Sequence, residues 1–426
     1  MELSGHTRIP VLQQRFGTPG GDAGGVLRRA SPAAGEGHAP TSPATSLYIH
    51  VPFCFHKCHY CDFYSIVDTQ DRQAPFVDRL TRELAALAPF AGPLGTIFIG
   101  GGTPTLLRPD LWVKLLGAIR STFALTPHLE FTVECNPETA TPELFAILAD
   151  GGSSGGVNRV SIGAQSFESR HLKTLERWHD PEKVFRAIEL AREAGIPRQS
   201  LDLIWGVPGQ TLPEWEHDLT TALSAATTHL SCYSLTYEPG TAMTARLSRG
   251  EFARTDEDLD ADMFIRTLEM LRAAGLERYE VSNFAKPGDE CRHNLAYWRQ
   301  HNWLAAGPSA SGHMNGYRWK NLPRLDDYLN SDTSGFAPVM DVEDADPRRN
   351  LRERIMTGLR TAEGLDTART LRDAAHISPT TPDALTRAAA RQIAQGNLTD
   401  TANRWRLTDD GFLIADTIAA ELMRSI

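Results

Sequence analysis

Three cysteines stand within eight positions near the start of the chain, in the stretch LYIHVPFCFHKCHYCDFYS at residues 47–65. Cys54, Cys58 and Cys61 form the pattern C-x3-C-x2-C. Thiols clustered in this way can hold a structural zinc, act as a redox pair, form disulfides or bind an iron–sulfur cluster. The rest of the chain decides among these chemistries.

The spacing favours the iron–sulfur cluster over the alternatives. A redox dithiol uses two sulfurs and leaves the third unexplained. A structural zinc usually takes four protein ligands. His56 or His59 can supply a fourth, but both lie inside the cysteine loop and no second pair of zinc ligands is found elsewhere in the chain. The other cysteines, Cys135, Cys232 and Cys291, are too far apart for a disulfide framework and indicate a reducing compartment. Three thiolates on a 4Fe-4S cluster leave one iron open to a small molecule with amine and carboxylate groups.

The composition is that of an ordinary globular protein. The 426 residues are 41% hydrophobic and 23% charged, and the formal net charge is -10. This is enough apolar material for one large core and a small second unit. Because no basic run of five or more residues occurs, we expect no nucleic-acid partner. No apolar stretch reaches the length of a membrane span.

The order of elements predicts an α/β fold. Residues 1–45 are rich in Gly, Pro, Ala and Ser, and we expect them to form a disordered extension. From Leu47 onward, short β-rich runs alternate with helical patterns, which is the rhythm of a parallel sheet and of a barrel or most of one. Chemistry in such folds occurs at the carboxyl ends of the strands. The polar and glycine-rich motifs fall at those ends, namely Gly100 to Pro104, Glu134, Gln165 and Asp202.

Together these motifs resemble the radical S-adenosyl-L-methionine (SAM) superfamily. An aromatic residue, Tyr60, precedes the third cysteine, and IGGGTPT follows downstream. The resemblance extends over most of residues 47–320 and is strongest to the coproporphyrinogen dehydrogenase-like branch. It implies a partial (β/α)6-type barrel over residues 46–325, in which Cys54, Cys58 and Cys61 bind a 4Fe-4S cluster and the open iron binds SAM. The implied SAM-binding residues are Tyr48, Tyr60, Gly101, Gly102, Thr103, Glu134, Gln165, Arg177 and Asp202.

Each of these residues also has a purely structural explanation. Glycine turns after strands are commonplace, and Gln165 can be a buried amide bonded to neighbouring backbone. Glu134, Arg177 and Asp202 can bind the hydroxyl groups and opposite charges of SAM, or they can form ion pairs that stabilise the barrel rim. The ligand hypothesis is favoured because the positions coincide with the cysteine motif.

Phe63 and a histidine motif bear on the choice of function within this branch. The dehydrogenases have a further cysteine two residues after the third cluster ligand, where this chain has Phe63. The sister group with phenylalanine at this position, the HemW-like haem chaperones, binds haem and delivers it to acceptor proteins. Their HNxxY motif is present here as His293, Asn294 and Tyr297 around Leu-Ala. The resemblance implies that these three residues bind haem, with His293 on the iron and Cys291, His301 and His313 as rival ligands.

The favoured interpretation is therefore a haem chaperone with a 4Fe-4S cluster and SAM and without a catalytic residue of its own. The alternative is an oxygen-independent coproporphyrinogen III dehydrogenase, which decarboxylates its substrate oxidatively to protoporphyrinogen IX. A radical SAM enzyme with an unrelated substrate is a third candidate. The expected partners are haem-acceptor proteins such as respiratory-chain components, with peripheral contact with membrane proteins and a homodimer also considered. The expected location is cytoplasmic.

The C-terminal residues 326–426 have a different character. An acidic linker leads into helical patterns and a small strand pair, RWRLT, with a turn at Asp409 to Gly411. This region resembles the small winged-helix-like α+β appendage of the family. Because the chain is acidic and lacks a basic recognition stripe, we expect the appendage to cover the cofactor side or to dock a protein acceptor rather than to bind DNA.

Overall fold

The computed structural model describes residues 21–31, 42–152, 155–331 and 335–426. Its strands are β1 (Ala44–Val51), β2 (Ala91–Gly101), β3 (Leu125–Cys135), β4 (Arg159–Gln165), β5 (Arg198–Trp205), β6 (His229–Ser234), β7 (Glu277–Arg278), β8 (Asn283–Ala285), β9 (Trp303–Ala306), β10 (Ser311–Met314), β11 (Tyr317–Asn321), β12 (Val339–Glu343), β13 (Leu365–Asp366), β14 (Leu398–Thr401) and β15 (Arg404–Leu407).

The helices are α1 (Ala23–Ala30), α2 (Gln73–Leu87), α3 (Pro109–Thr122), α4 (Pro142–Ala149), α5 (Ser169–Leu175), α6 (Pro181–Glu193), α7 (Leu212–Ser224), α8 (Ala242–Ser248), α9 (Glu257–Ala273), α10 (Arg292–Trp298), α11 (Leu325–Asn330), α12 (Pro347–Leu359), α13 (Thr367–Ile377), α14 (Thr381–Ala394), α15 (Asp409–Leu413) and α16 (Ala415–Met423). Short 3-10 turns occupy Ala88–Phe90, Pro104–Leu106 and Pro137–Thr139.

One large sheet organises the molecule. Its strand order is β12-β11-β10-β9-β1-β2-β3-β4-β5-β6-β8-β7. Strands β1 to β6 are parallel and adjacent in chain order, and β9 joins β1 in parallel as well. The end strands β12 and β7 do not pair with each other among the described residues, so the barrel is open. The predicted α/β fold with a partial barrel of six strand-and-helix units is confirmed.

The two faces of the parallel strands differ in chemistry, because successive side chains of a strand point to opposite faces. On β1, Leu47, Ile49 and Val51 are fully buried in the hydrophobic core. The intervening Tyr48 and His50 line the barrel interior. The same interior face collects further polar side chains, all buried or nearly so: Ser46, Thr96, Glu130, Arg159, Ser161, Ser200, His229 and Ser231.

Helix α1 corrects one prediction. Residues 1–45 were expected to be disordered, but Ala23, Val26, Leu27 and Ala30 are buried in the main core. They recur at i, i+3, i+4 and i+7, which places all four on one helical face. The surrounding glycines and prolines hid this short apolar stripe. Strand β1 also begins within the predicted extension, at residue 44, whereas residues 1–20 and 32–41 lie outside the described residues.

The C-terminal region has its own hydrophobic core, built from helices α12 to α16 and the antiparallel sheet β13-β15-β14. Its helices and small sheet agree with the predicted appendage. It contacts the barrel through Arg278, whose guanidinium carbon lies 3.5 Å from the centre of the Phe412 ring and whose Nη2 donates to Asp409 at 3.1 Å. Strand β12 extends the large sheet past the predicted boundary at residue 325. No helix in the described parts of the chain is long and apolar enough to cross a membrane.

Candidate functional site

The cysteine loop begins directly after β1. Its base is closed by backbone hydrogen bonds from Cys54 N to the Ile66 carbonyl and from Ile66 N to the Pro52 carbonyl, both 2.8 Å long. Its tip is fixed by a bond from Met243 N to the His59 carbonyl, 2.8 Å long. The loop thus presents Cys54, Cys58 and Cys61 as free, partly exposed thiols at the carboxyl ends of the strands.

The GGGT segment after β2 supports the start of this loop. Gly102 N donates to the Val51 carbonyl and Thr103 N to the Phe53 carbonyl, both at 2.7 Å, and the Thr103 hydroxyl donates to Cys54 Sγ at 3.7 Å. A Cβ on Gly102 would stand 2.7 Å from the Phe53 carbonyl oxygen. Gly101 has a φ of +112°, which is accessible to glycine at little cost. Close packing against the loop therefore explains Gly102, and the positive φ explains Gly101.

The surroundings of the three thiols bear on which group they could hold. Burial raises the pKa of Cys61 to about 12 and also raises the pKa of Cys54. Arg177 donates from Nη1 to Cys58 Sγ at 3.7 Å and from Nη2 to the Gly163 carbonyl at 3.1 Å, so a cation is already in place beside the sulfurs. Within the described residues, no three His, Cys, Asp or Glu side chains converge into a preformed metal site. The donor set, three thiols and a neighbouring cation, fits an iron–sulfur cluster.

A cavity of about 490 Å³ lies inside the barrel. It is lined by Tyr48, His50, Asp62, Phe63, Tyr64, Phe98, Glu134, Arg159, Ser161, Asp202, Ser231, Tyr233, His293, Asn294, Tyr297, Trp303, Ser309, Ser311 and Lys320. Two sets of predicted residues meet here: Tyr48, Glu134 and Asp202 from the SAM set, and all three residues of the haem set. The other predicted SAM residues, Tyr60, Gly101, Gly102, Thr103, Gln165 and Arg177, do not line this cavity.

Glu134 and Asp202 form a pair of buried carboxyl groups. Burial, together with the charge of Asp202, raises the pKa of Glu134 to about 8, and burial raises the pKa of Asp202 as well. Gly101 N donates to Glu134 Oε2 at 3.1 Å, and the Ser161 hydroxyl donates to Asp202 Oδ1 at 3.0 Å. Neither carboxylate is in salt-bridge contact with another described residue, although the charge of Arg177 opposes the rise in the pKa of both. The structural alternative is thus reduced to a longer-range attraction. A ligand with amine or hydroxyl donors would satisfy both groups.

Helix α10, which carries the HNxxY motif, is anchored by a buried carboxylate. Glu130 on β3 is fully buried and accepts from Arg292 N at 3.0 Å and from His293 N at 2.9 Å. Arg198 Nη2 lies 2.9 Å from the same carboxylate. Although burial alone would raise the pKa of Glu130, Arg159, Arg198 and the two backbone donors hold it below its usual value. The ionised Glu130 thereby fixes the first turn of α10 against the sheet.

The ring of His293 is buried, and both of its nitrogens are hydrogen-bonded. Nδ1 lies 2.8 Å from Thr96 Oγ1, and Nε2 lies 2.8 Å from the Tyr297 hydroxyl. Because the Thr96 hydroxyl donates to Ser46, it accepts from the Nδ1–H of His293, which leaves Nε2 to accept from Tyr297. Burial lowers the pKa of His293 to about 4, so the ring is neutral near pH 7. The lone pair that can bind iron is therefore covered by the Tyr297 hydroxyl.

The rival ligands are less well placed. Cys291 is fully buried, and its thiol donates to Glu130 Oε1 at 3.5 Å. His313 Nδ1 is bonded to the His301 carbonyl at 2.9 Å. Of these candidates, only His293 is among the residues that line the cavity.

Sequence reasoning missed several residues of the cavity wall. Arg159 is 2% exposed, and its side chain forms no hydrogen bond or salt bridge with the described residues, although its charge acts on Glu130 and Asp202. His50 donates from Nε2 to the Tyr64 carbonyl at 2.8 Å and so accepts at Nδ1 from the Tyr48 hydroxyl, 3.1 Å away. The available signal was alternation, since polar residues at every second position of apolar strands, as in Arg159 and Ser161, mark an interior polar face.

Two family models match the chain. The model described as the radical SAM superfamily matches residues 48–222, and the HemN C-terminal domain model matches residues 345–414. With the parallel strands and the cysteine loop, these matches define a radical SAM protein that carries a HemN-type C-terminal domain.

Curated relatives specify the family further. The haem chaperone HemW of Mycobacterium tuberculosis is 35% identical over 406 residues, which are 93% of this chain and 100% of that protein. HemW of Bacillus subtilis is 37% identical over 76% of this chain and 85% of its own length. HemW of Escherichia coli is 40% identical over 63% of this chain and 70% of its own length. This chain belongs to the HemW family. The resemblance predicted from the motifs is thus confirmed.

A solved structure shares the fold. Coproporphyrinogen III oxidase (HemN) from Escherichia coli superposes with a TM-score of 0.80 at 22% identity, over 97% of this chain and 95% of that one. At this identity the likeness supports the fold and no particular activity.

Proposed function

We propose that this protein is a haem chaperone that binds haem in the barrel cavity at His293 and passes it to acceptor proteins. The observation that carries the proposal is the position of the HNxxY helix, which sets a neutral histidine in the wall of a cavity of about 490 Å³. Neutral imidazole is the form that ligates haem iron. Membership of the HemW family, whose named relatives are haem chaperones, points the same way.

The walls of the cavity suit a flat macrocycle with acidic side chains. Phe98 stacks against His293 with ring centres 5.4 Å apart, and Tyr297 and Trp303 continue the aromatic wall at 4.6 Å. Lys320 and Arg159 line the same space, and neither forms a salt bridge with the part of the chain that the structure describes. Aromatic faces can cover the porphyrin, and the two cations can pair with its propionates. Binding at the iron requires the Tyr297 hydroxyl to leave His293 Nε2.

We further propose that Cys54, Cys58 and Cys61 hold a 4Fe-4S cluster and that SAM binds between the cluster and the Glu134–Asp202 pair. The cluster, when reduced, can supply an electron to bound SAM. In the protein itself, Arg177 balances the negative charge of the thiolates, and the two carboxyl groups offer acceptors for the ligand's amine and hydroxyls. The remaining predicted SAM residues, among them Tyr60 and Gln165, belong to the same proposal.

We propose no catalytic residue for porphyrin decarboxylation. Phe63 stands at the cavity wall with 61% of its surface exposed, where the dehydrogenases have a cysteine. A phenyl ring supplies neither a thiol nor a hydrogen-bonding group. A cytoplasmic location, haem acceptors such as respiratory-chain components, contact with membrane proteins and a homodimer are proposals that rest on the family resemblance and on the free cysteines.

The proposal is tested by offering both substrates to one preparation. Anaerobically reconstituted protein is incubated with haem in the absence of SAM, and in parallel with coproporphyrinogen III, SAM and dithionite. We expect a haem Soret band on the protein, transfer of that haem to an added apoprotein, and no protoporphyrinogen IX. Release of carbon dioxide with formation of protoporphyrinogen IX would instead establish the oxidative decarboxylation.

A further inference from the structure

We infer that SAM and haem exclude one another from this protein, so that SAM occupancy controls haem retention. This inference rests on the proposed function and extends it to regulation. Its basis is that three residues of the predicted SAM set, Tyr48, Glu134 and Asp202, line the same cavity as all three residues of the predicted haem set.

The two sets are connected by an unbroken row of aromatic rings. Tyr48 of the SAM set lies 6.3 Å from Phe98, measured between ring centres, and Phe98 lies 5.4 Å from His293. His293 lies 4.7 Å from Tyr297. Tyr48 and Glu134 are also close enough to Tyr297 to contribute to its raised pKa, although burial is the larger cause. A ligand that reaches His293 therefore occupies space beside Tyr48 and Glu134.

The approach to the iron-binding nitrogen is restricted to the same cavity. Thr96 covers Nδ1 of the His293 ring, Phe98 covers one face, and the ring has no exposure to solvent. Its Nε2 is reached only after the Tyr297 hydroxyl moves, and Tyr297 itself lines the cavity. Haem that binds to His293 must consequently enter through the cavity that Glu134 and Asp202 also line.

The size of the cavity allows one occupant. Pockets for a single small-molecule ligand generally measure about 300 to 1,000 Å³. The cavity here, about 490 Å³, lies in the lower half of that range. This volume is that of a site for one small ligand, and our inference is that a porphyrin and a nucleoside sulfonium ligand take turns in it. Loading with SAM should accordingly drive haem toward an acceptor, without any distant conformational signal.

The test is a haem titration of the reconstituted full chain at several SAM concentrations, without reductant so that SAM stays intact. Simple exclusion predicts that the apparent Kd for haem rises linearly with SAM, by about tenfold when SAM is present at ten times its own Kd. The converse measurement, equilibrium dialysis of SAM, should show weaker SAM binding in the presence of haem. An apparent haem Kd that is independent of SAM, or that reaches a plateau as in an allosteric system, would overturn the inference.

Two controls make the result interpretable. Asp202→Asn should shift the effect to higher SAM concentrations, whereas Asp110→Asn, at a side chain 70% exposed on α3, should not. Failure of the proposed function has a separate signature, because the protein would then take up no haem even in the absence of SAM. Haem uptake that is equal with and without SAM contradicts only the exclusion.

Discussion

Arg177 joins two parts of the site. One nitrogen of its guanidinium donates to Cys58 Sγ and another to the Gly163 carbonyl, so a single side chain ties the cysteine loop to β4. The thiols of Cys54 and Cys61 and the Glu134–Asp202 pair are groups whose charged forms are penalised by burial. Such groups are costly in an empty site and become favourable when a ligand satisfies them.

The first residue-level prediction concerns the cysteines. Replacing Cys54, Cys58 and Cys61 together by Ala should abolish bound iron and sulfide and the brown cluster absorbance, because no other protein ligands are proposed. Cys232→Ala, which removes a buried thiol outside the loop, serves as the control and should retain the cluster. Stoichiometric iron in the triple variant, or zinc without iron in anaerobically purified wild type, would contradict the assignment.

A second residue-level prediction concerns the carboxyl pair. Loss of a charged hydrogen-bond partner costs about 1.5 to 3 kcal/mol, so Glu134→Ala or Asp202→Ala should weaken SAM binding roughly ten- to a hundredfold while the cluster stays in place. Calorimetric titration with SAM measures the effect, with Asp110→Asn as the matched surface control. Unchanged affinity in both variants would mean that the pair is structural.

At the level of elements, short segments position the site. The GGGT segment supports the cysteine loop, and Glu130 of β3 anchors the first turn of α10. Helix α1 is a further short segment with a structural role, because its apolar stripe packs into the main core. Its N-terminus is capped by Asp22, whose Oδ1 accepts from Gly25 N at 2.8 Å.

Helix α1 gives the prediction at this scale. Leu27 is fully buried, and large-to-small substitutions at such positions usually cost about 2 to 5 kcal/mol. Leu27→Ala should therefore lower the free energy of unfolding by an amount in this range, as measured by chemical denaturation. Arg29→Ala, at an exposed side chain 3.4 Å from the exposed Asp344, should change it little. Equal stability of the two variants would mean that α1 contributes nothing to the core.

Short motifs in the sequence predict the chemistry of single residues well, but they do not predict which distant residues meet in the fold. The cysteine spacing, the glycine turn and the strand-end carboxyl groups can be read from single motifs, and the alternation of strands and helices predicts the parallel sheet. The shared cavity depends on α10 packing against β2 and β3, much earlier in the chain. The Thr96–His293 contact spans a separation of 197 residues and the Glu130–Arg292 contact one of 162. No local pattern encodes either contact. Helix α1 was missed because its apolar stripe is stable only against a surface formed elsewhere.

On the scale of the whole molecule, burial of histidine makes stability depend on pH. Burial lowers the pKa of His313 to about 4, with help from the charges of Arg318 and Arg349 and against the hydrogen bond to the His301 carbonyl. Between pH 4 and the unfolded value near 6.5, the unfolded chain binds a proton that the folded chain does not. This histidine therefore costs stability as the pH falls through that window, by up to about 1.4 kcal/mol per pH unit.

The variant His313→Asn isolates this contribution, because Asn keeps a donor for the His301 carbonyl and has no titrating ring. Denaturation curves at pH 7.5, 6.0 and 5.0 should show wild type losing stability relative to the variant as the pH falls. A difference between the two proteins that stays constant with pH would contradict the assigned direction of the pKa shift.

The central claim is that the cavity binds haem through His293. The most direct measurement is a Soret titration of the anaerobically reconstituted wild type, of His293→Ala, and of His217→Ala as a control at a side chain 60% exposed outside the cavity. We expect wild type and His217→Ala to bind haem alike, and His293→Ala to lose most of the uptake while retaining its cluster spectrum. Normal haem binding by His293→Ala, with an unchanged Soret spectrum, would contradict the assigned ligand, and the absence of uptake by wild type would contradict the haem chaperone itself.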